Sequence, residues 1–241
     1  MEKINLFLLP FAGGSKYSYR NYQERASSLL NIIALEYPGR GNRADESLIT
    51  DIKALIDDLY YQIKPAIERG ADYAIFGHSM GGLLAYLLTR KVLLQNHTAP
   101  LHLFITGTVG PSARVRSSHK RHLLSKAAFM EEIRKLNGCP DEMLRNDELF
   151  EYFEPILRAD FTATENYVYE QEPPLNIPVT VITGTEERLK PADILSWQKE
   201  TSQPVDFGTM PGNHFFIFPQ TDAILGIITK KLAAHFKNCQ V

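Results

Sequence analysis

Tyr73-Ala74-Ile75-Phe76-Gly77-His78-Ser79-Met80-Gly81-Gly82-Leu83 decides the fold. A short apolar run stops at a glycine, and a serine follows between small residues. An amphipathic pattern then opens with Leu83, Leu84, Leu87, Leu88 and Val92. Strand, tight turn and helix are the setting that a Gly-x-Ser-x-Gly nucleophile elbow requires. Gly77 and Gly81 lack the Cβ that would strike the neighbouring strand and helix. The turn can therefore hold Ser79 in a strained conformation, with its hydroxyl raised above the sheet edge. The N–H of Met80 stands at the start of the helix, where a donor can face a developing oxyanion. An incidental serine in a glycine-rich turn is the plainer alternative, and the flanking patterns argue against it.

Upstream, Ile4 to Leu9 is a near-continuous apolar run, as in a parallel strand buried on both faces. Phe11-Ala12-Gly13-Gly14-Ser15 follows Pro10. Glycine-rich backbone at this place can offer a second oxyanion donor, the N–H of Ala12 or of Phe11; an ordinary strand-to-helix loop is the alternative. Tyr17 to Leu30 reads as a helix with Tyr19, Tyr22, Ala26 and Leu29 on one side. Asn31 to Glu36 reads as the next strand, broken at Tyr37-Pro38-Gly39-Arg40-Gly41. Asp51 to Ile67 carries a helical stripe of Ile52, Leu55, Ile56, Leu59 and Ile63, with Pro65 placed to kink its end.

Downstream, Leu101 to Thr106 is another buried strand. From about residue 112 to 174 the chain turns polar and helical in patches, including Phe129 to Ile133 and Met143 to Leu157, without buried-strand runs. This predicts a helical insertion over the site, a lid; a helical subdomain without gating is the alternative. Pro178 to Thr183 resumes the strand pattern, Val205 to Phe207 is a short last strand, Met210 to Phe216 a loop, and Pro219 to Phe236 the closing helix. Alternating strands and helices predict an α/β fold: a mostly parallel twisted sheet with helices on both faces. One domain over residues 1–241, with the insertion at about 112–174, is the economical division.

With 241 residues, 27.3 kDa and 44% hydrophobic content, the chain can fill one sizeable core. Its 26 basic and 28 acidic residues leave a net charge of −2, which excludes a general nucleic-acid binder or a polybasic membrane protein. Cys139 and Cys239 match no metal-ligand spacing and form no disulfide framework, so a cytoplasmic location is expected. The N-terminal apolar run is too short for a signal peptide, and no run reaches the ~18–20 residues of a membrane span.

A serine hydroxyl needs a base within reach, and the base needs an orienting acid. On an α/β-hydrolase sheet the order is Ser, then Asp or Glu, then His. Among seven histidines, only His214 occupies a loop between the last strand and the last helix. His78 sits in the elbow, with its side chain expected to point away from the serine oxygen. The acid belongs at the end of the strand at 179–183. Glu187 is the choice, with Glu186 and Asp193 as rivals and a pair of solvated turn glutamates as the alternative.

These landmarks resemble the type II thioesterases that accompany polyketide and nonribosomal peptide synthases, members of the α/β-hydrolase superfamily. Five stretches match in order: Leu9-Pro10-Phe11-Ala12-Gly13-Gly14-Ser15, Tyr37-Pro38-Gly39-Arg40-Gly41, Gly77-His78-Ser79-Met80-Gly81-Gly82, Pro155-Ile156-Leu157-Arg158-Ala159-Asp160-Phe161 and Gly212-Asn213-His214-Phe215. The resemblance spans nearly the whole chain. The elbow is shared by many hydrolases; the first stretch together with Pro-x-x-Arg-Ala-Asp is far more specific.

The resemblance implies hydrolysis of acyl thioesters on the phosphopantetheine arm of an acyl or peptidyl carrier protein, clearing stalled or misprimed groups. It implies Ser79 as nucleophile, His214 as base, and Ala12 with Met80 as oxyanion donors. The family usually has aspartate where Glu187 stands. Arg158 and Asp160 match a lid-proximal motif, read here as structural pairing. No metal or cofactor is expected, since the substrate carries the phosphopantetheine. Arg114, Arg116, Lys120 and Arg121 form a basic stretch suited to an acidic carrier face or the arm's phosphate, with a solvated lid surface as the alternative. A monomer is expected; a start at Met1 without a carrier domain favours a free-standing protein over an integrated synthase-terminating domain. The competing functions are a carboxylesterase or lipase-like hydrolase of oxygen esters, and a non-catalytic binding protein on a hydrolase scaffold.

Overall fold

The apolar run at Ile4–Leu9 forms strand β1, and its side chains sort by parity. Phe7 and Leu9 enter one core; Ile4, Leu6 and Leu8 enter the other. That period of two is what a strand covered on both faces requires. A computed structural model describes residues 3–113, 120–136 and 147–238 of the chain. Its remaining strands are β2 (Leu30–Ala34), β3 (Tyr73–His78), β4 (Leu103–Thr106), β5 (Val179–Gly184) and β6 (Asp206–Met210). They pair in the order β2-β1-β3-β4-β5-β6, and every pair is parallel. The same parity holds in β3, where Tyr73 and Ile75 face one core and Ala74 and Phe76 the other.

The helices are α1 (Arg20–Arg25), α2 (Ile52–Glu68), α3 (Met80–Leu94), α4 (Lys126–Lys135), α5 (Asp147–Glu165), α6 (Pro191–Leu195) and α7 (Thr221–Asn238). Helices α2 and α3 supply the first core, with Trp197 fully buried in it. Helices α1 and α7 supply the second, through Tyr22, Ile224, Leu225, Ile228 and Leu232. Asp51 caps α2 by accepting from Ala54 N at 2.8 Å. Pro65 lies inside α2, which runs on to Glu68.

One expected helix is much shorter. The stretch Tyr17 to Leu30 forms a 3₁₀ turn at Lys16–Tyr19 and then α1, and the backbone becomes extended at Ala26 (φ −61°, ψ 140°). Tyr19 and Tyr22 explain the arrest. Their hydroxyls donate to Leu9 O (3.0 Å) and Ile217 O (2.9 Å) within the second core, which fixes these two residues rather than a longer stripe. Leu30 N then turns back onto Ser27 O at 3.0 Å and opens β2 one residue early. Strand β6 runs to Met210, beyond the expected Phe207, because Gly208 and Thr209 join the ladder to β5 without an apolar pattern to announce it.

Over the carboxyl ends of the strands lie a 3₁₀ turn at Arg121–Leu123, α4 and α5. They share a small core of Phe129, Ile133, Phe150 and Leu157. The first residues of the expected helix at Met143 fall outside the described residues; α5 continues past Leu157 to Glu165. Among the described residues no helix is long and apolar enough to cross a membrane.

Candidate active site

Strand β3 passes directly into the elbow. A Cβ on Gly77 would sit 2.0 Å from Gly81 O, and one on Gly81 would sit 2.2 Å from Leu9 O, so only glycine fits either place. Between them Ser79 adopts φ 55° and ψ −114°, a sparsely populated conformation that costs about 1–3 kcal/mol. Its own backbone holds it there: Ser79 N donates to Thr106 O (2.8 Å), and Ser79 O accepts from Gly82 N (3.0 Å).

The loop after β1 lies alongside. Among the described residues, the N–H groups of Phe11, Ala12 and Met80 have no hydrogen-bond partner. All three residues line a cavity of about 900 Å³ together with Ser79 and His214, and Leu157 and Phe161 of α5 close it from above.

His214 arrives from the loop after β6. Its Nδ1 lies 2.6 Å from Glu187 Oε1, and Glu187 Oε2 accepts from Gly184 N at 2.7 Å. The Glu187 side chain is 3% exposed and the His214 side chain 19%. Both carboxylate oxygens are thus occupied, which fixes the imidazole's orientation. Among the described residues no hydrogen bond joins His214 to Glu186 or Asp193. Glu186 stands on the cavity wall, and Asp193 lies in the first turn of α6, its carbonyl accepting from Gly110 N at 3.0 Å. Nor does one join His214 to the Ser79 hydroxyl; catalytic hydrogen bonds commonly tighten only around substrate.

His78 packs its ring among Phe11, Phe215 and Phe216 and 4.8 Å from the ring of His214. Its Nδ1 lies 3.0 Å from Thr106 Oγ1. Burial, and then the nearby His214 charge, push its pKa well below the usual imidazole value. It therefore backs His214 as a neutral wall.

The family model for the thioesterase domain matches residues 4–232, a span that holds every residue of this arrangement. The chain belongs to the thioesterase family. Its fold is that of the α/β-hydrolases, and it is a hydrolase of thioesters. The linear gramicidin dehydrogenase LgrE of Brevibacillus parabrevis is 33% identical over 97% of this thioesterase and 89% of its own length. Among solved structures, ClbQ from the colibactin NRPS/PKS pathway is 33% identical with a TM-score of 0.90, covering 97% of this chain and 98% of that one. The type II thioesterase BorB from the borrelidin biosynthetic cluster is 30% identical with a TM-score of 0.83, covering 96% and 92%.

Of the basic stretch, Arg114 and Arg116 lie outside the described residues. Lys120 is exposed yet tied to the end of α5, and Arg121 is half-buried. Lys120 Nζ donates to Glu165 O and to Asn166 Oδ1 (3.0 Å). Arg121 Nη1 donates to Glu165 Oε1 (3.2 Å), and Glu165 Oε2 lies 2.7 Å from His122 Nδ1. Arg121 and Glu165 both reach the cavity wall.

Arg158 and Asp160 do not pair with each other. Arg158 bonds Glu154 Oε1 (2.8 Å) and His122 O (2.8 Å), with its guanidinium 4.3 Å from the centre of the Phe129 ring. Asp160 instead meets Arg40 in a two-pronged pair, at 2.6 Å for each prong, and accepts from Gly13 N at 2.7 Å. The available signal was an arginine between glycines and an aspartate on an apolar helix face. Two buried opposite charges are a pair looking for each other.

Among the described residues no group of three or more His, Cys, Asp or Glu side chains could hold a metal ion.

Proposed function

We propose that this thioesterase hydrolyses acyl thioesters delivered on the phosphopantetheine arm of a carrier protein, through a Ser79–His214–Glu187 triad. The single observation that carries the reading is the 2.6 Å contact of Glu187 with His214 Nδ1, on the wall of the cavity that Ser79 also lines. A nonstandard acid is no sign of a decayed site when its carboxylate is buried and doubly bonded.

The thioester carbonyl enters between Ser79 Oγ and the free N–H groups of Met80 and Ala12. Phe11 N–H is the alternative second donor. His214 Nε2 takes the hydroxyl proton as Oγ bonds to the carbonyl carbon, and the two donors stabilise the tetrahedral oxyanion. The C–S bond breaks, His214 returns the proton to the departing sulfur, and an acyl-serine remains. Water then gives a proton to His214 and attacks the acyl carbon; the C–Oγ bond breaks, His214 returns the proton to Ser79 Oγ, and the acid leaves. Glu187 holds Nδ1 protonated and stabilises the imidazolium in both halves. No step calls on a metal or cofactor.

The 3₁₀ turn at Arg121–Leu123 with α4 and α5 acts as a lid over the acyl chamber, within a single domain. Arg121 belongs to that chamber's wall.

The test is mass spectrometry of a panel of acyl-loaded carrier proteins, with matched oxygen esters alongside. The expected outcome is loss of the acyl mass, with Ser79→Ala at least about 10⁴-fold slower. Oxygen-ester turnover without carrier deacylation would instead make this a carboxylesterase, and full activity in Ser79→Ala would remove the triad.

A further inference from the structure

The loop from Leu9 to Gly14 is pinned group by group. Tyr19 and Tyr37 hydroxyls donate to Leu9 O (3.0 Å) and Pro10 O (2.8 Å), and Gly14 N donates to Phe11 O (2.8 Å). The last two pins are charged. Asp160 Oδ2 accepts from Gly13 N at 2.7 Å, and Arg40 Nη1 donates to Gly14 O at 3.3 Å as well as to Asp160. The side chains of Arg40 and Asp160 are 5% and 1% exposed.

Asp160 belongs to α5, above the cavity, and the loop belongs to the floor below it. The two meet closely. Gly13 has φ +77°, and a Cβ there would lie 2.5 Å from Leu157 Cδ2, one turn before Asp160 on the same helix.

Stability alone is a poor reason for this pair, because apolar replacements of buried ion pairs are often neutral or stabilising. Peptide geometry supplies a better one. Phe11 O and Ala12 N–H belong to one planar trans unit and point in opposite directions. Gly14 N holds that oxygen, so it also sets the direction of the Ala12 N–H. Gly13 and Gly14 are in turn clamped by Asp160 and Arg40.

We propose that Asp160, with Arg40, is a positioning pair for the reaction: helix α5 aims the Ala12 N–H, so the oxyanion donor is competent only while that helix is seated. The inference rests on the assignment of Ala12 as a donor.

The double variant Arg40→Met/Asp160→Leu removes both charges of the pair, and buried Glu36, which also feels Arg40, keeps the bond from Lys16 N at 3.2 Å. Asp160→Asn keeps the shape and an oxygen for Gly13 N; Arg40→Lys keeps the charge but loses the fork. Each is titrated at Ser79 with a fluorophosphonate, then assayed on a soluble acyl-N-acetylcysteamine thioester and with a trifluoromethyl ketone that adds to the serine. For the double variant, kcat per titrated serine should fall about 10–100-fold, with KM within about threefold. Ketone affinity should fall by the factor lost in kcat/KM, since the adduct needs the same donors. The two single variants should fall between it and the parent, and they decide if the double variant does not fold. A kcat per titrated serine within about twofold of the parent, or a loss confined to KM, overturns the proposal. If Ser79→Ala is inert while the pair variants turn over normally, only this inference falls; if Ser79→Ala stays active, the triad reading falls first.

Discussion

In the sheet, β1 leaves only Asn5 short of full burial and β3 buries all six side chains; the helices over the cavity share a small apolar core of their own, with a ring of charges around Glu165. The contrast is one of forces. Apolar burial, worth about 25 cal/mol per Å², is non-directional and is lost only by opening the sheet. The charges around Glu165, whose side chain is 5% exposed, are directional, and their desolvation offsets much of the Coulomb gain. The floor can therefore hold reacting groups to fractions of an ångström while the cover opens at lower cost. In the proposed reading, a cover that opens admits substrate, and Asp160 ties its closure to the floor.

The largest effect should come from the floor. Glu187→Gln keeps the shape but loses the charge that holds His214, and kcat should fall about 10³–10⁴-fold. The thermal midpoint should barely move, because Gln can still accept from Gly184 N. Steady-state kinetics beside a melting curve checks this, and near-full activity would return the acid role to Asp193 or Glu186.

A smaller effect is expected in the cover. Glu165→Gln weakens the contacts of Arg121 and His122. Amide exchange in α4 and α5 should quicken about 10-fold or more, the equivalent of ~1.4 kcal/mol, while β1 and β3 keep their protection. Equal acceleration in both regions would erase the distinction between floor and cover.

The smallest effect concerns pH. His102 is buried against Phe104, its Nε2 lies 2.9 Å from Thr180 Oγ1, and burial followed by the His235 and Lys231 charges lowers its pKa to about 3. Between an unfolded value of about 6.5 and that folded value the unfolded chain binds more protons, so stability falls as pH falls through this window. By pH 5 the loss from this one group is about 2 kcal/mol, or about 4–8 °C in a domain of this size. In His102→Gln the drop in midpoint from pH 7 to pH 5 should shrink by that amount. An unchanged drop would assign the acid sensitivity elsewhere.

The floor was the legible half for the same reason that it is rigid. Buried strands must be apolar on both faces, so Ile4 to Leu9 and Tyr73 to Phe76 announce themselves in composition. Chain order left His214 as the histidine between the last strand and last helix; Glu187 stood beside Glu186 and Asp193 as a candidate after β5, and only the structure shows its 2.6 Å contact with His214. The helix expected over Tyr17 to Leu30 misled because Tyr19, Tyr22, Ala26 and Leu29 satisfy a helical period, while two tyrosine hydroxyls satisfy the structure. The pairing of Asp160 with Arg40 was hidden for a different reason. The partners are 120 residues apart, and no local pattern couples a loop after β2 to a helix above the sheet. The basic run misled through net charge: Lys120 and Arg121 look like free surface cations until Glu165 and Asn166 are seen beside them.

The strand order β2-β1-β3-β4-β5-β6 also has a meaning in time. The serine stands on a central strand, but its imidazole comes from beyond the edge strand, about 135 residues later in synthesis. A ribosome making this protein will have finished the elbow and most of the chamber before the base exists. If the proposed triad holds, the nascent chain meets thioesters without its base, and a product truncated before residue 214 lacks it for good.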